Sequence, residues 1–488
     1  MEKTDFTADE QPAYHETVSD SPKEDAYIQE SEEGRVEHTL RTKRYLRKVD
    51  IRLLPLCATI YLLNFLDRGN IGNAKVLNSE TGDDILQKTR MSAHQYSVAL
   101  TVFGIAYGLF DIPSNLVMKR YVRPSRWLAF LAFGWGLLTL GFAWVHNFGT
   151  VTGLRFIIGM FEAGFFPGII FLITFWYRPE ERSLRIAIVN ASATLAGAFG
   201  GCIAYGVGHL NGSGGLEGFR WLFIIEGCIT VAAACLIVFT VPDWPARAKW
   251  LNEDEKRFAE ERLQEYGGGY TQEHTTRQER LETILSRMPF HYITFLLDII
   301  PLGSLAYFAP TIVNGLGYTS IKAQLMTVPP WVIGWVFSLF IAWSSDHFNA
   351  RGWHVAAAST IGGIGFLTAG ILPADAYAKR YGCLILATCG AFPSASPLAA
   401  WVTCNAPTVR SIGLVVGINN AMSGVGYIIC VWLWKSSEAK TGYPTGNFTC
   451  AACSFGVVIG AIGLRLHYGR MNRMKVPDSL GQPREWLL

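Results

Sequence analysis

Long apolar stretches alternate with short polar ones along almost the whole chain. Windows of about 20 apolar residues, the length that crosses a bilayer core as a helix, predict twelve spans. They fall near residues 51–69, 95–117, 126–146, 149–176, 184–208 and 219–241, then 289–312, 322–345, 353–372, 380–402, 411–434 and 448–468. Between the two sets of six lies a hydrophilic stretch, Pro242 to Met288, dense in Glu, Lys and Arg, in which Asn252 to Tyr266 reads as a surface helix. The pattern predicts an all-α integral membrane protein of two pseudo-symmetric six-helix bundles, residues 49–241 and 289–470, with a pathway between them. Residues 242–288 form the linker and 471–488 a tail.

Proline and glycine punctuate the spans. Ile112-Pro113, Pro167-Gly168, Pro329-Pro330 and Pro393…Pro397 interrupt helices whose freed carbonyls must find partners in neighbouring helices or water. Gly197, Gly200 and Gly201, set among Ala and Ser in the fifth span, predict close helix–helix contact.

Composition agrees with a membrane class. Half of the 488 residues are hydrophobic and 17% are charged, where a soluble chain carries about a quarter charged residues. The net charge of +3 is too small to point to a partner. Residues 1–40 differ, with twelve Asp/Glu and three Lys/Arg; with residues 41–48 they read as a disordered acidic tail. This tail holds no apolar signal-peptide core, which makes the first span its own insertion signal.

Lys and Arg cluster at Arg41–Lys48, at Lys119, Arg120, Arg123 and Arg126, and at Arg178, Arg182 and Arg185. By the positive-inside rule these segments and both termini are cytoplasmic. The sequons Asn211-Gly-Ser213 and Asn447-Phe-Thr449 then fall on the opposite side, which marks Asn211 and Asn447 as candidate glycosylation sites. All ten cysteines lie in or beside apolar segments, and Cys450-Ala-Ala-Cys453 lacks the second ligand pair that a metal site needs, so they read as packing thiols.

The candidate chemistry lies in charges set inside apolar spans. A charge at the bilayer centre costs at least about 2.5–3.5 kcal/mol, so such residues face a cavity and mark function. Asp67 and Arg68 are adjacent near the far end of the first span, and Arg155 and Glu162, two helical turns apart, share one face of the fourth. Arginine offers a planar fork for a carboxylate and stays protonated. A carboxyl group in a low dielectric takes up a proton more readily than in water. Arg68 and Arg155 are therefore candidate anion ligands, and Asp67 and Glu162 candidate proton carriers. The competing reading makes Asp67–Arg155 and Arg68–Glu162 ion pairs that hold two helices together. Asp111, Glu226 and Asp298 stand equally between cavity lining and helix pairing. Asn64, Tyr307 and Asn419 are candidate uncharged substrate ligands, with Asn190, Asn314 and Asn420 as further polar positions in or beside spans. Asp346 and Arg351 flank the turn between spans eight and nine and read as a gating or loop-clamping ion pair.

No phosphate-binding glycine loop and no serine, zinc or paired-cysteine catalytic motif is present, so neither ATP-driven transport nor enzymatic chemistry is expected, and no cofactor or metal. The expected partners are a small molecule, protons and the lipid bilayer, with no nucleic acid, and the expected state is a monomer.

Several stretches resemble the major facilitator superfamily and, within it, the fungal anion:cation symporters of the allantoate permease branch. They are Asn64-Phe-Leu-Asp-Arg-Gly-Asn-Ile-Gly-Asn-Ala74, Asp111-Ile-Pro-Ser-Asn115, Arg155-Phe-Ile-Ile-Gly-Met-Phe-Glu-Ala-Gly-Phe-Phe-Pro-Gly168, Trp176-Tyr-Arg178 with Glu181-Arg182, and Pro310-Thr-Ile with Gly315-Leu-Gly-Tyr318. The resemblance runs from about Arg41 to Arg473. The superfamily's loop motif between spans two and three is degenerate here, Lys119-Arg-Tyr-Val-Arg-Pro-Ser-Arg126, while Asp346-His-Phe-Asn-Ala-Arg351 lies nearer to it; the proline-bearing span-5 motif of proton antiporters is missing. The resemblance implies proton-coupled uptake of a small organic anion such as a vitamin or ureide, across the plasma membrane, with Arg68 and Arg155 on the anion and Asp67 and Glu162 on protons. Export of a fungal secondary metabolite on the same scaffold, or nutrient sensing without transport, are the alternatives.

Overall fold

The computed structural model describes residues 22–264, 288–405, 412–475 and 486–487. Twelve of its helices are long and apolar enough to cross a membrane. We number them α1 (Pro22–Val76), α2 (Ala93–Arg120), α3 (Pro124–Gly141), α4 (Phe148–Thr174), α5 (Pro179–Gly208) and α6 (Gly218–Thr240). The second set is α7 (Pro289–Asn314), α8 (Ser320–His347), α9 (Arg351–Ile371), α10 (Tyr377–Cys404), α11 (Ile412–Val431) and α12 (Pro444–Arg473). Residues 406–411 between α10 and α11, the last of which opens the expected eleventh span, lie outside the described residues. A short helix, Glu253–Gln264, occupies the linker where the sequence predicts one; residues 265–287 lie outside the described residues.

The helix pairings repeat with a shift of six. The α2–α4 and α3–α6 contacts of the first bundle recur as α8–α10 and α9–α12 in the second, and α2–α11 mirrors α5–α8 across the two. Two linked six-helix units related by a pseudo-twofold produce such a scheme.

Two expectations change at α1. Residues 22–48 are helical, not irregular, and the sequence there is rich in Glu, Lys and Arg, which favour helix; residues 1–21 lie outside the described residues. The chain divides into two compact units at Arg52 and Leu53. At its other end α1 does not stop near residue 69 but runs to Val76. Hydropathy ends the span early because Asn64, Asp67, Arg68, Asn70 and Asn73 lower the local average, yet all five are buried. Asp67 and Arg68 are therefore well inside the helix.

The contacts between the bundles concentrate toward the end of α1 that carries Val76. A Cβ at Gly72 would stand 2.4 Å from the Tyr307 carbonyl oxygen of α7, and one at Gly201 in α5 2.7 Å from that of Gln324 in α8. Only glycine lets these backbones touch, so the close contact expected of Gly197 and Gly201 is made across the bundles to α8, while Gly200 packs on Asn73 of α1 within the first bundle. Hydrogen bonds join them at the same end. Gln324 Nε2 donates to the Asn73 carbonyl (3.2 Å), Ser320 N–H to Glu80 (3.0 Å) and Trp432 Nε1 to Thr101 (3.0 Å). Deeper, Asn190 of α5 donates to Ser396 of α10 (2.8 Å). In the loop beyond α1, Lys88 pairs with Asp83 (2.8 Å) and Glu217 (3.3 Å). Its hydrogen bond holds the Asp83 carboxyl down to about 2.

Candidate functional site

Arg68 lies at the junction of the two bundles. Its Nη2 and Nε donate to Glu162 Oε2 at 2.9 and 3.2 Å, so α1 and α4 are joined by a fully buried ion pair. The guanidinium is boxed by four aromatic rings: Phe65, Phe103 and Tyr107 of the first bundle at 5.1, 5.4 and 4.8 Å, and Tyr427 of α11 at 5.3 Å. Phe65 precedes Arg68 by three positions, and Phe103 and Tyr107 are four apart, so each set shares one helix face. A cation desolvated against rings in this way gains about 2 kcal/mol or more from their quadrupoles. Burying a salt bridge is itself close to break-even, and removing one partner is what costs heavily. The pair is thus a poised arrangement more than a source of stability.

Arg155, two turns from Glu162 on α4, is treated differently. It is 1% exposed, its Nε has no hydrogen-bond partner, and among the described residues no carboxylate lies within 4 Å of it. Phe142 and Phe103 flank it at 5.3 and 5.8 Å. The Asp67–Arg155 ion pair that the sequence allows is not formed. Asp67 turns away, and its Oδ2 accepts from Trp135 Nε1 of α3 (2.9 Å) and Thr230 Oγ1 of α6 (3.1 Å). Adjacent residues on a helix point about 100° apart, which sends Arg68 to the junction and Asp67 into the bundle interior. Glu226, one turn before Thr230, is buried there with neither oxygen partnered.

Tyr307 of α7 faces this region, stacked edge-on to Tyr427 at 5.9 Å, and its buried hydroxyl has no partner. Glu162 Oε1 and Asn64 Nδ2 are also buried and unpartnered. Arg68, Glu162, Asn64 and Tyr307 therefore group together, with Arg155 two turns away along α4, and several hydrogen-bonding valences are free. A cavity beside them is lined by Phe65, Gly69 and Asn73 of α1, Gly197 of α5, Pro310 of α7 and Trp331 of α8. Asn419, on α11 two turns before Tyr427, is buried with its oxygen free. Asp111 is fully buried with both oxygens unpartnered, and Asp298 accepts from Ser394 Oγ at 2.5 Å. Asp298 is thus a link between α7 and α10.

The remaining predicted residues lie elsewhere. Asp346 and Arg351 form the expected ion pair at 3.1 Å, and Arg351 Nη1 also meets Cys404 Sγ at 3.2 Å. Asn447 is buried within α12, its amide donating to the carbonyls of Gly442 and Tyr443 at 3.0 Å each. That amide is thus bonded to the turn that leads into α12. Asn211 is half-buried and donates to Asp83 Oδ2 at 2.8 Å. All ten cysteines are free thiols, and Cys450 meets Ser304 at 3.3 Å.

Sequence reasoning found the charges but not their surroundings. Tyr107, Tyr427, Trp135 and Thr230 carry no mark that separates them from other aromatic or hydroxyl residues in apolar spans. The one available cue was the i, i+4 placement of Phe103 and Tyr107 on a single face.

Residues 57–430 match the Major Facilitator Superfamily. The chain is 46% identical over 436 residues to MFS transporter prlL of a fungal species, covering 89% of this chain and 88% of that one. It is 34% identical to MFS-type transporter cnsO of Penicillium expansum, over 86% and 82% of the two chains. Among solved structures, the D-xylose-proton symporter superposes with a TM-score of 0.62 at 16% identity, covering 84% of this chain and 97% of that one. A bacterial homologue of the human lysosomal transporter Spinster, inward-facing and occupied, gives 0.61, again at 16% identity, over 85% and 95%.

Proposed function

The chain belongs to the Major Facilitator Superfamily and is a membrane transporter, and from that premise we propose that it moves a small organic carboxylate together with protons by alternating access. The observation that carries this reading is Arg155, a buried guanidinium with no carboxylate at ion-pair distance among the described residues, two turns from an arginine that already has one. A buried charge left unpaired costs several kcal/mol, and a substrate carboxylate removes that cost. An arginine fork also matches a carboxylate in two parallel hydrogen bonds.

The Arg68–Glu162 pair supplies the coupling. A substrate carboxylate reaching Arg68 competes with Glu162 for the same donors, Nε and Nη2. Protonation of Glu162 removes its charge and frees the guanidinium, so proton and anion bind together. Loss of the anion returns Arg68 to Glu162 and expels the proton. The empty–deprotonated and the anion–proton forms leave the site with the same net charge, and those are the two forms that reorient. Tyr307, Asn64 and Asn419 orient the rest of the substrate, and Asp67, held by Trp135 and Thr230, is the second acid and fixes how α1 presents Arg68.

The allantoate-permease-like sequence stretches favour uptake by symport at the plasma membrane with both termini in the cytoplasm, by a monomer whose six-helix halves are residues 49–241 and 289–470. In that orientation the cross-bundle contacts at Gly72 and Gly201 close the outer end, and the Asp346–Arg351 pair acts as a gate clamp at the inner one. Reconstitution in vesicles under an imposed proton gradient, with a panel of radiolabelled vitamins, ureides and aromatic or aliphatic monocarboxylates, tests this. Accumulation driven by protons moving the same way supports it; accumulation that requires protons moving the opposite way makes the protein an exporter.

A further inference from the structure

Beyond α12 the chain returns to its own second bundle at Trp486 and Leu487, and the contacts are specific. Asn472 of α12 pairs with both backbone groups of Trp486: the Trp486 N–H donates to Asn472 Oδ1 and Asn472 Nδ2 donates to the Trp486 carbonyl, each at 2.8 Å. Asn405, the residue after α10, does the same with Leu487. The Leu487 N–H donates to Asn405 Oδ1 (3.0 Å), and its carbonyl accepts from Asn405 Nδ2 (3.0 Å) and Trp401 Nε1 (2.8 Å). Two side-chain amides thus act as the partner strand of a two-residue extended segment. The Trp486 ring is 1% exposed and stacks on Tyr468 of α12 at 5.7 Å and 7°. Tyr468 in turn packs on Trp401 and on the buried His291 of α7, whose Nε2 lies 2.9 Å from the Tyr468 hydroxyl.

The end of α10 needs such support. Pro393 and Pro397 lie inside the helix and remove two backbone hydrogen bonds just before Trp401. The same stretch carries Ser394, which bonds Asp298 of α7, and Ser396, which accepts from Asn190 of the first bundle. Cys404, at its last turn, holds Arg351. A helix broken by two prolines and asked to keep three such contacts must be fixed at its far end, and Trp486–Leu487 ties that end to α12.

We propose that Trp486 and Leu487 form a strap that pins the proline-broken end of α10 to α12 and so sets the position from which α10 meets the first bundle. The strap is independent of what the protein carries, and its test needs no substrate. Hydrogen exchange read by mass spectrometry on the full chain in nanodiscs measures it. In the unmodified protein the amides of Trp486 and Leu487 are protected, as are those of residues 398–405. In Trp486→Ala and in Asn405→Ala/Asn472→Ala, both segments exchange at least about ten-fold faster while α3 and α6 keep their rates, which shows that the variants are folded. Trp486→Phe keeps the stack and restores most of the protection. Free exchange at 486–487 in the unmodified protein would overturn the strap, and unchanged exchange at 398–405 in the variants would overturn its pinning role.

Discussion

The two bundles share a pairing scheme but not a chemistry. The first places Asp67, Arg68, Arg155, Glu162, Glu226 and Asp111 in the membrane interior. At the junction the second meets them with neutral groups, Tyr307, Tyr427 and Asn419, and its own buried Asp298 is turned to Ser394. A symmetric frame is thus loaded asymmetrically. One half carries the buried charges and the other meets them with two tyrosines and an asparagine. The difference suits a carrier, because a substrate held tightly by both halves would weld them and one held by a single half can ride across the motion.

Each substitution below attacks one side of that division. Arg68→Ala removes the cation that both Glu162 and the substrate need. Leaving a buried carboxylate alone costs about 3–5 kcal/mol, so uptake falls to background and thermal stability in detergent drops. Arg155→Gln keeps the volume and deletes the free charge. Hydrogen bonds to a charged partner contribute about 1.5–3 kcal/mol, so the KM for the carboxylate rises roughly 10- to 150-fold with the Arg68–Glu162 pair intact. Gly72→Ala sets a methyl 2.4 Å from the Tyr307 carbonyl oxygen. Overpacking of this kind costs about 1–3 kcal/mol, so the sealed end parts and the turnover rate falls roughly 5- to 150-fold with little change in KM. Tyr427→Ala removes one ring of four around Arg68, a loss of about 0.5–2 kcal/mol, read as a 2- to 30-fold rise in KM. A larger effect from Tyr427 than from Arg155 would erase the division between the halves.

The fold was legible because it rests on composition at the scale of twenty residues, which survives local exceptions. The candidate charges were legible because a charge in an apolar span is costly wherever it points. Of the two pairings the spacing allows, Arg68–Glu162 forms and Asp67–Arg155 does not. Asp67 and Arg68 are neighbours in sequence, yet they point about 100° apart on α1, and only the position of α3 and α6 shows that Trp135 and Thr230 claim Asp67. The length of α1 was hidden by the buried polar residues of its last turns. The burial of Asn447 was not legible, because a sequon carries no information on whether its amide is bonded within the fold. Trp486 and Leu487 were passed over because two residues beyond the last span have no periodicity to read.

In the proposed mechanism Glu162 and the substrate carboxylate compete for Arg68. Glu162→Gln tests it most directly, since glutamine imitates the protonated acid at nearly the same volume. With a carboxylate identified by the uptake panel, binding to purified protein is measured across pH 5 to 8. In the unmodified protein affinity weakens as pH rises, toward ten-fold per unit once Glu162 is ionised. In Glu162→Gln it stays high and flat, and proton-driven accumulation disappears while downhill exchange remains. An unchanged pH dependence in Glu162→Gln would contradict the claim.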